Sequence, residues 1–158
     1  MNQTEYLEKE LNLLLGWIQA ADTRISLVLP LSSAMLGTIA ALAPEIDKWV
    51  ILSAIAASFA TFFLVLSLIF SAIACFPRID GPKGSMIFFT GITSRELAQY
   101  KKDVSTFSEK NYIDDLSNQC HINAQIANIK FSWVKRSMAC LFIAALPWFA
   151  SIFLLYGV

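Results

Sequence analysis

The sequence predicts an all-α integral membrane protein: three transmembrane helices with cytoplasmic helical extensions, assembled as an oligomeric bundle. Three observations carry this. Hydrophobic residues make up 56% of the 158 and charged residues 15%, against about 45–50% and about 25% in soluble domains. The apolar excess is gathered into three long stretches without a charge, the pattern of a chain solvated by hydrocarbon rather than water. Of the 12 lysines and arginines, nine fall between the second and third stretches. Helices are the expected elements because each backbone polar group in lipid needs an internal partner, and the alternation of a barrel strand is missing.

Residues 1–24 read as a cytoplasmic amphipathic helix. Tyr6, Leu7, Leu11, Leu14, Leu15 and Ile18 recur at helical spacing, with Glu5, Glu8, Lys9, Glu10 and Asn12 elsewhere. Its acidic character favours packing on other helices over binding to anionic lipid. An acidic start of this length also differs from a cleaved signal peptide, so the segment is expected to be retained. No breaker separates it from the first crossing, 25–43, which at 19 residues reaches about 28 Å across a core of about 30 Å. A short turn, 44–48, leads to the second crossing, 49–76. Its 28 residues reach about 42 Å, so this helix tilts or projects from the core.

The segment 77–136 reads as a basic cytoplasmic segment. It opens on Pro77-Arg78-Ile79-Asp80-Gly81-Pro82-Lys83-Gly84-Ser85, whose prolines and glycines predict a loop. Met86–Ile92 is an apolar run too short to span, compatible with a strand, a re-entrant piece or a patch on the membrane surface. Thr93-Ser94-Arg95-Glu96 has the form of a capping box flanked by a staple of Ile92 and Leu97, which predicts a helix over about 94–107. A second helix over about 109–136 carries two apolar stripes. Ile113, Leu116, Cys120, Ala124, Ala127, Phe131 and Val134 follow one face; Ile122, Ile126, Ile129 and Trp133 follow another. Two stripes call for two neighbours, as in a bundle or oligomer. The helix is expected to continue into the third crossing, 137–157, with Pro147 near its middle.

Lys and Arg counts give the orientation: two before the first crossing, one in the 44–48 turn and nine in 77–136. Positive-inside logic places 77–136 and the N-terminus in the cytoplasm and the C-terminus in the periplasm, hence a multi-pass protein of a bacterial inner membrane. The 44–48 turn is then periplasmic.

The chemistry the residues offer is narrow. Cys75, Cys120 and Cys140 match no metal spacing and read as small hydrophobes. His121 is the only histidine, so a metal cluster or triad has too few members. Asp114 and Asp115 are adjacent and diverge on a helix. No catalytic or metal-ligating residue is expected, and the chain is not expected to be an enzyme. The crossings hold no ionisable residue, which argues against an ion-coupled transporter. A binding module, a channel or lesion former, or a scaffold remains.

Two constellations stand out. Ala21-Asp22-Thr23-Arg24 lies at the edge of the first crossing, where a boundary charge pair with Arg24 snorkelling to phosphates suffices to explain it. Asn118, Gln119, His121, Asn123, Gln125, Asn128 and Lys130 form a polar stretch that suits either a solvated helix face or the reading of a nucleobase edge.

The order of parts resembles a known family. An amphipathic helix leads to Ala21-Asp22-Thr23-Arg24 and a crossing, and a second crossing ends at Pro77. Phe88-Phe89-Thr90-Gly91-Ile92, a helix with Tyr100, and a helix with Asn123, Ile126, Ala127 and Lys130 then precede the last crossing. This is similar, over nearly the whole chain, to the transmembrane effector of Pycsar anti-phage defence systems. Arg24 stands where the family's pattern calls for a lysine, which keeps the charge and changes its geometry. The resemblance implies sensing of cCMP or cUMP made by a partner cyclase, followed by loss of inner-membrane integrity and abortive infection. The cytoplasmic segment suits an anionic ligand: nine cations against Asp80, Glu96, Asp103, Glu109, Asp114 and Asp115 leave +3. The candidate ligand contacts are Arg78, Arg95, His121, Asn123 and Lys130, with Asp22 and Arg24 as hinge or pocket floor. The implied partners are that cyclase's product, the lipid bilayer and further copies of the chain, with no nucleic-acid polymer and no other cofactor. The alternatives are a ligand-independent, holin-like small channel and a membrane scaffold.

Overall fold

A computed structural model describes residues 2–77, 81, 82 and 84–156. Regular structure among them is entirely helical: α1 (Gln3–Leu42), a 3-10 turn (Ile46–Lys48), α2 (Ile51–Cys75), α3 (Phe89–Thr93), α4 (Leu97–Thr106) and α5 (Glu109–Tyr156). Helices α1, α2 and α5 are each long and apolar enough to cross a membrane. The amphipathic start and the first crossing are one 40-residue helix, and α5 is one 48-residue helix unbroken at Pro147. Pro30 also lies inside α1, a placement membrane helices tolerate because neighbours and side chains re-satisfy the freed backbone.

The chain divides into two compact units, Met1–Ala20 with Pro77–Ile129 and Ala21–Phe76 with Lys130–Val158. The second holds the apolar spans. Val28, Met35 and Ile39 of α1, Ala57, Ala60 and Leu64 of α2, and Leu141 and Ala144 of α5 form one core; Ala21, Ile25, Ala74 and Val134 form another. The buried face of α2 is a run of small residues broken only by Leu64: Ser53, Ala57, Ala60, Ser67, Ser71 and Ala74. Small side chains let helix backbones approach closely where no hydrophobic effect drives them together.

Four serines tie the three spans at that face. Ser67 Oγ lies 3.0 Å from the Ser137 carbonyl, and Ser137 Oγ lies 2.8 Å from the Ser67 carbonyl. A hydroxyl has one proton, so this reciprocal pair leaves both oxygens as acceptors. Ser71 Oγ then donates to Ser137 Oγ at 2.7 Å, and Ser32 Oγ to Ser67 Oγ at 3.1 Å. Trp148 Nε1 adds a bond to the Met35 carbonyl at 2.9 Å. Outward, large side chains such as Leu27, Ile55, Phe62, Phe142, Leu146 and Phe153 are exposed, a surface matched to lipid tails.

The first unit joins the start of α1 to α3, α4 and the start of α5. Leu14 and Leu116 are buried. Tyr112 donates to Glu8 Oε1 at 2.8 Å, and Cys120 Sγ lies 3.5 Å from the Leu7 carbonyl.

Two expectations from the sequence need correction here. The capping box does not form. Thr93 ends α3, its hydroxyl turns back to the Thr90 carbonyl at 3.4 Å, and α4 begins at Leu97 rather than 94, with Glu96 as an N-cap that makes no side-chain cap bond. The reason is local competition: Ser94 Oγ donates to the Gly91 carbonyl at 2.9 Å, so the end of α3 takes the hydroxyls that a new helix start needed. The helix within the second apolar stretch is shorter than 49–76: Trp49 and Val50 are extended and the helix covers Ile51–Cys75. The short apolar run resolves as bends followed by the helical turns of α3. For α5 the start is well signalled: the Asn111 amide bonds Ser108 Oγ at 3.2 Å, a side-chain N-cap.

Candidate functional site

In the first unit the polar centre is a knot around Ser85. Ser85 Oγ donates to Asp115 Oδ2 at 3.0 Å and accepts from the amides of Ile87 at 3.1 Å and Phe88 at 2.9 Å. The Met86 amide also reaches Asp115 Oδ2, at 2.7 Å, and Gln119 Nε2 approaches Ser85 Oγ at 3.2 Å. Asp115 and Gln119, one turn apart on α5, are thus buried and hydrogen-bonded, as buried polar groups usually are. Gly91 closes the knot: a Cβ there would sit 2.3 Å from the Ser85 carbonyl oxygen, which only a glycine avoids. Gly84 enters it with φ +79°, in the left-handed region.

Arg95 completes this knot. Its Nη1 donates to the carbonyls of Ser85 at 2.9 Å and Gly91 at 2.5 Å, its Nη2 donates to the Gly84 carbonyl, and its Nε faces Asp103 Oδ2 at 3.1 Å. The guanidinium therefore ties the Gly84–Gly91 loop to α4.

The other sequence candidates of this unit lie on α5. His121 is exposed and shares a 2.9 Å bond with Gln125 Nε2, one turn on. Asn123 is half-buried and donates to the Gln119 carbonyl at 2.8 Å, with its own carbonyl oxygen not engaged by any bond described. Arg78 lies outside the described residues. Two groups here have displaced acidity. The bond to Glu8 holds the Tyr112 phenol above its ordinary range, with burial and the negative charges of Glu8 and Asp115 adding to it. Burial, then the charge of Glu10, pushes the Cys120 thiol up, so it is a poor nucleophile.

In the second unit the structure brings two sequence candidates together. Lys130 Nζ of α5 pairs with Asp22 Oδ1 of α1. The lysine side chain is 9% exposed and the aspartate 46%, so the cation is the deeply held member. Arg24 stacks over the Phe131 ring at 5.2 Å, and Arg136 over Trp133 at 4.4 Å. Stacking uses the planar guanidinium, which gives the arginine at position 24 a contact that a lysine there makes less well.

The sequence singled out Asp22, Lys130 and Arg95, though neither the pairing of the first two nor the partners of Arg95. Ser85, Asp115 and the serine cluster escaped it. The available signal for the serines was the four-residue spacing of Ser67 and Ser71 in the second apolar stretch, which repeats one helix face. For Ser85 and Asp115 the 30 residues between them hid the contact.

A family model described as the Pycsar effector protein domain matches residues 6–157. No curated protein and no solved structure matches the chain.

Proposed function

The chain belongs to the Pycsar effector protein domain family, a membrane effector family of anti-phage defence whose members imply a partner cyclase, and on that premise we propose what it senses and does. It binds cCMP or cUMP from that cyclase and then impairs the inner membrane, ending the infection by arrest or death of the host cell. The family match across 6–157 carries the reading. The cation excess between the second and third spans supports it, as does α5, a continuous helix with residues in both units. We place the first unit in the cytoplasm, with the N-terminus inside and the C-terminus periplasmic, following the distribution of Lys and Arg.

His121 and Asn123 are the side chains of the first unit best suited to a pyrimidine edge, since both offer donors and acceptors. Arg95, committed to four protein acceptors, is assigned to holding the loop. The Lys130–Asp22 pair is the switch. Its release lets the spans repack within an oligomer, a change between two packings that ligand binding biases.

Calorimetry of the full chain in detergent with cCMP and with cUMP tests the sensor. One of the two is expected to bind saturably, with cAMP inert. If neither binds while a reference cyclic-nucleotide receptor responds, the sensor reading is lost. Expression without a cyclase separates the ligand-independent channel: the membrane potential is expected to hold until a cyclase is supplied.

A further inference from the structure

The second unit carries a groove that the sensor reading does not use. Its volume is about 470 Å³, and it is lined by Arg24 of α1 and by Phe131, Val134, Lys135, Met138, Ala139 and Phe142 of α5. Arg24 stacks over Phe131, Lys135 lies one turn further along α5, and the lining residues beyond Lys135 are all apolar. Neither Arg24 nor Lys135 has a carboxylate partner among the described residues. Nearby Asp22 is taken by Lys130. From Lys135 to Phe142 the helix rises about 10 Å, against a leaflet of about 15 Å in a hydrocarbon core of about 30 Å. The lining therefore runs from charge to hydrocarbon over about two thirds of the depth of one leaflet.

We propose that this groove binds a single anionic phospholipid, its phosphate between Arg24 and Lys135 and one acyl chain along Met138, Ala139 and Phe142. The charges match: two unpaired cations meet one anionic headgroup, which Arg engages as a planar fork and Lys as a point charge. The apolar lining matches as well, since a soluble phosphate compound has nothing to place on Met138 and Phe142. The site joins α1 to α5 at the level of the Lys130–Asp22 pair, and so lipid composition sets how firmly the two helices are held.

Native mass spectrometry of the full chain, titrated in detergent with phosphatidylglycerol and with phosphatidylcholine, tests this. The wild type is expected to retain one phosphatidylglycerol in preference to phosphatidylcholine. The R24Q/K135Q double variant is expected to lose about thirtyfold of that preference, as follows from removing two cations that each attract anionic lipid by about 1 kcal/mol. K101Q/K102Q, which removes cations of α4, is expected to keep it. Ala139 is exposed, so Ala139→Trp fills the groove without disturbing a core, and retention of both lipids is expected to fall. Equal retention of the two lipids by the wild type would overturn the proposal. So would an unchanged preference in a helical R24Q/K135Q protein, or glycerol phosphate competing as well as the intact lipid.

Discussion

Single residues decide how the loop and the switch are held. Gly91→Ala places a methyl group against a backbone oxygen rather than a movable side chain. It is expected to cost about 1–3 kcal/mol, the usual range for overpacking, read as a lower thermal midpoint by circular dichroism. Asp22→Asn leaves Lys130, only 7% exposed, without its carboxylate, at a cost of about 1–3 kcal/mol. If the pair is the switch, this variant depolarises cells that contain no cyclase; a silent Asp22→Asn would assign the pair to stability alone. Tyr112 gives a pH dependence. Its phenol is held above the ordinary value by the bond to Glu8, so the neutral form is the one that stabilises the fold. That stabilisation is complete below about pH 10, the unfolded value, and is lost as pH rises through the folded one. Alkaline titration of stability should show this loss in the wild type and a flatter curve in Tyr112→Phe.

At the scale of elements, the spans are held by shape and by a few hydrogen bonds. The serine cluster joins α1, α2 and α5 through Ser32, Ser67, Ser71 and Ser137, each at most 1% exposed. Interhelical hydrogen bonds in bilayers average about 0.6 kcal/mol and reach about 1.7. Ser67→Ala and Ser137→Ala are each expected to cost about that much. Their double variant should cost less than the sum, because the two hydroxyls serve each other's carbonyls; additive losses in a cycle of unfolding midpoints would dissolve the pair. Helix boundaries show the limits of local rules. Ser108 caps α5 as a lone serine before a helix should. Thr93 and Glu96 have the spacing of a box, yet Thr93 is absorbed by α3. Both segments obey local rules; the end of α3 claims the hydroxyl groups that a helix start at 94 needed.

For the whole molecule, the apolar exterior fits a bilayer, and the cation distribution is the ground for the direction proposed across it. A cysteine introduced at Lys101 is expected to react with a membrane-permeable maleimide and to resist an impermeant one in intact cells. Labelling by both would reverse the orientation. The all-helical class, the three spans and the family were legible in the sequence because each is written in runs of residues: hydrophobicity over a bilayer's thickness, charge over a loop, motif order over a chain. The candidate site was legible only in part. Asp22 and Lys130 drew notice as charges at span edges, but 108 residues separate them, and no periodicity states which distant charge a buried lysine meets.

The sequence by itself determined that three stretches are long and apolar enough to span a bilayer and which family the chain joins, since hydrophobicity acts on each stretch independently and motif order runs along the chain. Only the tertiary structure decided that Arg95 holds a loop, that Lys130 is answered by Asp22, and that four serines meet between helices. Those outcomes depend on which faces come together, and close packing, unlike hydrophobicity, is a property of pairs.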